Sequence, residues 1–172
     1  ALPICPMALA SYSLIRGEGE PWQPEGDAWR DWPAPEAEDR TFWRAAGQRL
    51  LINRSVEAAV IESDARHLMT QGVPYDRCQV GIVTRMPKAA GLEDLYAGPD
   101  EKIPSYIRTQ IDLVLDNGYA VLNAADEAVA DLAQYSDGGV IFYAQTEHEA
   151  RLAEHRQDGG RVAFWRDGQL IL

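Results

Sequence analysis

Two cysteines in 172 residues, Cys5 and Cys78, are too few and too far apart for a disulfide framework or a metal-ligand spacing, and they read as reduced packing residues. Histidine is scarce too. His67 stands alone, and His148 and His155 lie seven apart in a stretch of Glu and Arg that reads as a solvated helix face. No pair has the i, i+4 spacing with a third ligand that a zinc site requires, and no Ser-His-Asp or Cys-His set can be assembled. Basic residues are outnumbered, with 16 Lys and Arg against 27 Asp and Glu and a formal net charge of −11. The field of such a chain repels phosphate backbones and anionic lipid heads, which argues against nucleic acid and membrane surfaces as partners. No apolar run approaches the roughly 18 residues of a membrane span, and the opening ALPICPMALASYSLI lacks the basic n-region of a signal peptide, so a cytoplasmic location is expected. One further absence bears on chemistry: G-x-x-x-x-G-K-[ST] occurs nowhere, and GEGE at Gly17 to Glu20 is acidic where a phosphate cradle needs lysine.

What is present begins with 46% hydrophobic residues, enough for one sizeable core at this length. The first forty residues stand apart. GEGEPWQPEGDAWRDWPAPEAEDR mixes Pro, Gly and acids with Trp22, Trp29 and Trp32 and has neither a helical nor a strand period. It reads as an irregular segment that wraps onto the domain, or as a docking strip for another protein or region. The domain itself is expected over residues 41–172.

From Thr41 the pattern becomes regular. FWRAAGQRLLI predicts a helix, EAAVIE a strand, ARHLMTQG a short helix stopped by Gly72, and CQVGIVT a second strand. PSYIRTQIDLVLDNG places Ile107, Ile111, Val114 and Leu115 on one helical face and predicts a helix stopped at Asn117-Gly118. YAVLNA is the next strand, DEAVADLAQYS the next helix, GGVIFYA another strand, and EHEARLAEHRQDGG a charged surface helix. RVAFWRDGQLIL closes the chain as a hairpin turned at Asp167-Gly168. Short apolar strands alternating with helices predict an α/β fold: a mostly parallel sheet flanked and covered on both faces by helices, with a C-terminal β-hairpin.

In open parallel sheets ligands sit beyond the carboxyl ends of the strands, so the polar residues just after each strand are the candidates. These are Glu62 and Ser63, Thr84 and Arg85, and Asn123 to Asp126. Glu62 reads either as a metal ligand or base, or as part of a helix start in which Ser63 or Asp64 is the N-cap. Asn123 reads either as an amide that recognises an adenine edge, or as a strand terminator that, with Asp126, caps the next helix.

Taken in order, VEAAVIES and GVPYDRCQVGIVT, then GYAVLNAADEAVADLA and GGVIFYA, then GGRVAFWRDGQLIL resemble the Mur-ligase-like domain of cyanophycin synthetase from about Ala46 to Leu172. The resemblance implies the central ATPase core of Mur ligases and ATP-dependent amide bond formation through an acyl phosphate, arginine being joined to an aspartate side chain of the growing polymer. It assigns Glu62 to the glutamate that coordinates magnesium at the nucleotide phosphates, and Asn123 and Asp126 to the loop that holds the nucleoside. The departures are as informative. No glycine-rich phosphate loop precedes Glu62, Ser63-Asp64-Ala65-Arg66-His67 follows it where the family has Ala-Arg-Gly-Gly, RMPKAAGLEDL lacks the family's Asp-His pair, Arg108 replaces a lysine, and Ala125 replaces an acid. The chain also stops at Leu172, before the lid domain of the family.

A γ-phosphate needs lysine, magnesium and backbone N–H groups in the transition state, and losing nearly all of them leaves no catalyst. The reading is therefore a degenerate, catalytically silent domain with a structural or oligomerising role beside other domains or subunits of a ligase system. No cofactor is assigned, and ATP with magnesium is expected only if the site still functions. Two alternatives stay open: a nucleotide-binding ligase domain that uses Mg-ATP with a partner domain, and an unrelated α/β interaction module.

Overall fold

The computed structural model describes residues 42–54, 56, 58–89, 92–95 and 102–172. The expected Pro- and Trp-rich segment, residues 1–40, lies outside the described residues, and Cys5 with it. The described residues fall into two compact units divided between Tyr75 and Asp76.

The first unit contains two helices, α1 (Phe42–Ile52) and α2 (Ala65–Gln71). Asp64 starts α2: in extended conformation, its Oδ1 accepts the N–H of His67 at 2.7 Å, satisfying a donor that the first turn would otherwise leave open. Gly72 ends the helix at φ +67, its N–H bonding back to the carbonyl of Leu68. Arg44 of α1 donates from its guanidinium to the carbonyl of Gln71 at 3.0 Å. The expected strand over EAAVIE is not formed, since the described residues from Ala58 to Glu62 have no regular structure. A strand exists only where its N–H and C=O groups find a partner strand, and none of the described pairings involves this segment.

The second unit is built on a five-stranded sheet in sequential order: β1 (Cys78–Val83), β2 (Val114–Asn123), β3 (Gly139–Ala144), β4 (Arg161–Arg166) and β5 (Gln169–Ile171). β1 to β4 are parallel and β5 is antiparallel to β4. The expected hairpin is present: Asp167 at φ 51 and Gly168 at φ 78 supply the two positive-φ residues that a type I′ turn needs. Between the strands come α3 (Ile103–Ile107), α4 (Thr109–Asp112), α5 (Glu127–Ala130) with a 3₁₀ turn over Asp131–Tyr135, and α6 (Ala150–Gln157). α4 packs on β1 and β2, α5 on β2, and α6 on β3 and β4. This is the α/β fold, with helices flanking a mostly parallel sheet.

The helix expected over Pro104 to Gly118 is shorter than its apolar spacing suggests. Ile107 and Ile111 are buried on its inner face, yet the chain leaves helical structure after Leu113, whose carbonyl takes the N–H of Cys78. Val114 is equally buried, but as the first residue of β2. The register then slips: Cys78 faces Val114 while Val80 faces Tyr119, so Leu115 to Gly118 form an extra loop in β2.

Burial alternates along the strands. Gly81 and Val83 in β1, Ala120 and Leu122 in β2, Phe142 and Ala144 in β3, and Val162 and Phe164 in β4 are buried on the helix-covered face. With Ile103, Ile111, Val129, Leu132 and Leu152 they form the core, and Phe164 is 1% exposed. Parallel strands in consecutive order, joined by connections of the usual right hand, send every crossover helix to the same side. The other side differs from the expectation of strands buried on both faces, since Val80, Ile82 and Trp165 are more than half open there or close to it.

Candidate functional site

β2 delivers Asn123 to the carboxyl end of the sheet, where the chain turns through Ala124 and Ala125 into α5. Asn123 ties two strand ends together. Its Nδ2 donates to the carbonyl of Thr84, just past β1, at 2.9 Å, and its Oδ1 accepts the N–H of Ala125 at 3.0 Å, closing an Asx turn. Asp126 performs a similar double task. Its Oδ1 accepts the N–H of Val129 at 3.3 Å as N-cap of α5, and its Oδ2 accepts the N–H of Met86 at 2.8 Å. The structure thus brings Asn123 and Asp126 into one fastening that joins the loop after β1 to the loop after β2. The structural alternative for these residues, strand terminator and helix cap, is realised in both.

Tyr143 completes the cluster from β3. Its hydroxyl lies 3.4 Å from the same Thr84 carbonyl, and its own carbonyl accepts the N–H of Ala124 at 2.8 Å. Burial, and secondarily the Asp126 carboxylate, push its phenol pKa above the ordinary tyrosine value, so it stays protonated. Reading strand ends from the sequence picked out Thr84 but missed Tyr143. The signal was the polar-tipped aromatic one residue before the end of an apolar strand.

A shallow cleft of 270 Å³ opens beside this loop, lined by Ala124, Ala125, Glu127, Glu149, Ala150, Arg151 and Glu154. Three carboxylates face one guanidinium, and Arg151 already pairs with Asp131 at 2.8 Å. The cleft is acidic where a phosphate group would require the opposite sign.

Glu62 lies in the first unit, exposed on the extended segment that leads to the Asp64 cap. The Asp64 alternative for this stretch is the one observed, with His67 Nδ1 also 3.0 Å from Asp64 Oδ1. The hydroxyl of Ser63 is buried without a hydrogen-bond partner, so it is not the cap. Among the described residues no three His, Cys, Asp or Glu side chains come together to hold a metal ion. Both oxygens of Asp126 already accept backbone N–H groups, Oδ2 from Met86 and Oδ1 from Val129.

The histidines separate. His148 is exposed, ahead of α6, as expected. His155, expected on a solvated face, is instead half-buried: Nε2 sits 3.2 Å from the carbonyl of Val140, and the ring meets Phe142 edge-on at 4.9 Å. It fastens α6 to β3. Arg108 holds Asp112 at 2.9 Å and stacks over Tyr135, and its hydrogen bond to Asp112 raises its pKa, so its guanidinium is engaged from two sides. Cys78 is a free thiol whose pKa is pushed up by burial, in keeping with a packing residue. No helix among the described residues is long and apolar enough to cross a membrane.

No protein-family model matches the chain. Curated relatives do. The chain is 30% identical over 140 residues to cyanophycin synthetase of Crocosphaera subtropica, a match that takes in 80% of this chain and 16% of that protein. The cyanophycin synthetase of Synechocystis is 29% identical over 125 residues, and that of Geminocystis herdmanii 27% over 125, each match covering 72% of this chain and 14% of the relative. The chain therefore spans about one sixth of the length of these relatives. Across four fifths of its residues it is similar to a segment of cyanophycin synthetase, with a mostly parallel α/β sheet, and the resemblance seen in its strand-end motifs is that of a cyanophycin synthetase-like domain.

Proposed function

We propose that this chain is a degenerate Mur-ligase-like domain of a cyanophycin-synthetase-type, ATP-dependent ligase system, catalytically silent, with a structural or oligomerising role. The observation that carries this reading is the acidic cleft at the carboxyl ends of the strands, where Glu127, Glu149 and Glu154 face a single arginine that is already paired. A triphosphate placed there would meet carboxylates, whereas phosphoryl transfer needs converging cations and N–H donors. The net charge of −11 acts in the same direction at longer range. Asn123 and Asp126 support the reading from a second side, because their polar atoms are spent on joining β1 and β2 to α5. The sheet is thereby kept while the chemistry is lost.

A second reading is favoured by the position of the same loop, beyond the carboxyl ends of parallel strands, where α/β proteins bind ligands. It makes the chain a nucleotide-binding domain that uses Mg-ATP with a partner domain, through Glu62, Asn123 and Asp126. Isothermal titration with Mg-ATP, run beside Glu62→Ala, separates the two. The first reading expects neither heat nor a melting shift at millimolar nucleotide. Saturable binding that Glu62→Ala abolishes would establish the second, with stabilisation following by mass action.

A further inference from the structure

Leu115 to Gly118 are the part of β2 that neither neighbouring strand holds in register. The pairing with β1 passes from Val114 to Tyr119, and the pairing with β3 begins at Tyr119. Within this stretch Asp116 and Asn117 are exposed, whereas Gly118 is buried. That burial is tight. A Cβ on Gly118 would stand 2.4 Å from the carbonyl oxygen of Gln79 in β1, and a Cβ on Gly138, just ahead of β3, would stand 2.5 Å from the carbonyl oxygen of Gly118. Packing therefore demands glycine at 118, and the chain sets it directly after an exposed asparagine. Of the three asparagines in the chain, Asn117 alone precedes glycine. Asn123 makes the contrast clear: its amide is held by Thr84 and Ala125, and Ala124 follows it. No hydrogen bond fixes the side-chain amide of Asn117 among the described residues.

We propose that Asn117-Gly118 is a site of spontaneous covalent modification, deamidation through a succinimide. Resonance makes a peptide nitrogen a poor nucleophile, so the backbone N–H of Gly118 first gives its proton to a hydroxide ion of the solvent. The nitrogen then attacks Cγ of Asn117. The new N–Cγ bond closes a five-membered ring, the Cγ–Nδ2 bond breaks, and Nδ2 leaves as ammonia with a proton from water. Water next opens the ring at one of its two carbonyls. Attack at Cγ leaves an ordinary aspartyl residue, and attack at the backbone carbonyl carbon leaves an isoaspartyl residue whose main chain runs through Cβ and Cγ. Gly118 favours closure because no Cβ shields its nitrogen. The rotation required lies within Asn117, on the open side of the loop, so Gly118 can stay seated. Both products carry a carboxylate in place of a neutral amide, and the isoaspartyl product also adds one atom to the main chain between positions 117 and 118. Gly118 is wedged between Gln79 and Gly138 and has no room to take up that atom, so β1, β2 and β3 should lose close packing at this end of the sheet. The result is a slow, one-way mark of the chain's age that lowers its stability, whether or not the domain binds nucleotide.

The test is incubation of the full 172-residue chain in mildly alkaline buffer at physiological temperature, sampled over time by peptide mass spectrometry. Fragment ions should place a gain of about one mass unit at position 117, with the backbone cleavages of an isoaspartyl link in part of the product. Asn123 should convert at least about tenfold more slowly, since both of its hydrogen bonds must break before its ring can close. The incubated chain should melt roughly 4 °C or more below the fresh one. Asn117→Gln, whose longer side chain closes a ring far less readily, should keep its mass and its melting temperature through the same incubation. A parent chain that stays unmodified while its urea-unfolded form deamidates overturns the proposal, because the fold would then be holding Asn117 shut. Conversion of Asn123 at an equal pace overturns it too, since the structure would not be selecting the site. A chain converted at position 117 that melts like the fresh one overturns the coupling to the sheet.

Discussion

Removing the Asp126 carboxylate should loosen the sheet end that this residue fastens, and the structure permits an estimate of how much. In Asp126→Ala the N-cap of α5 is lost, which costs about 1 kcal/mol at a typical site. The second oxygen, 2.8 Å from the N–H of Met86, makes a charge-assisted bond of the kind worth about 1.5 to 3 kcal/mol when well buried, discounted to about 1 kcal/mol because Asp126 is only half-buried. The sum is about 2 kcal/mol, and at about 2 to 4 °C per kcal/mol the melting temperature should fall by roughly 4 to 8 °C. Asp126→Asn should lose about half of that, since its amide oxygen can still cap the helix while its NH₂ group would face the Met86 N–H, donor against donor. Thermal unfolding followed by circular dichroism at neutral pH supplies the numbers. If Asp126→Ala melts within about 0.5 kcal/mol of the parent chain, as surface substitutions do, the carboxylate is not a fastener and its use for a ligand returns to the foreground.

Two further outcomes follow from packing and from protonation. Gly81→Ala should destabilise by about 1 to 3 kcal/mol in chemical denaturation, because its new Cβ would stand 2.6 Å from the carbonyl oxygen of Gln110 and 2.8 Å from Cγ2 of Val114. Tyr143 has its pKa raised in the fold, so the unfolded chain gives up this proton first; its contribution is intact below the ordinary value of 10.0 and is lost as pH climbs through the folded value. Stability should therefore fall with rising alkaline pH, and Tyr143→Phe should flatten that slope, which unfolding free energies measured across the alkaline range would reveal.

Strand identity was legible wherever the local pattern was strong. CQVGIV, GVIFYA and RVAFWR are short runs with β-branched or aromatic residues between turn signals, and each became a strand within the range expected. The Asp-Gly hairpin was legible for a different reason, because only a narrow set of residues accepts two successive positive φ angles. EAAVIE misled because a strand is a property of a pair, and a single segment carries no information about its partner. The stretch from Pro104 to Gly118 misled because spacing that buries Ile107, Ile111 and Val114 on a helix also buries them when the chain straightens after Leu113. His155 misled because Glu and Arg neighbours describe the outside of α6, while one residue of that helix turns inward to Val140.

For the site, the sequence by itself determined the location of the candidate loop, the absence of a phosphate cradle, the acidic balance and the resemblance to cyanophycin synthetase, all of which depend on residue type and order along the chain. Tertiary structure decided how the polar atoms are used. Whether Asn123 and Asp126 face a ligand or the backbone depends on where the carbonyl of Thr84 and the N–H of Met86 arrive, some forty residues away in sequence, and that is set by the parallel pairing of β1 with β2. Tertiary structure also decided that three glutamates from two different segments line one cleft, and that one face of the sheet is left apolar and open. Local propensity acts over a few residues, whereas charge and burial are sums over whatever the fold brings close, and those sums are defined only once the strands have paired.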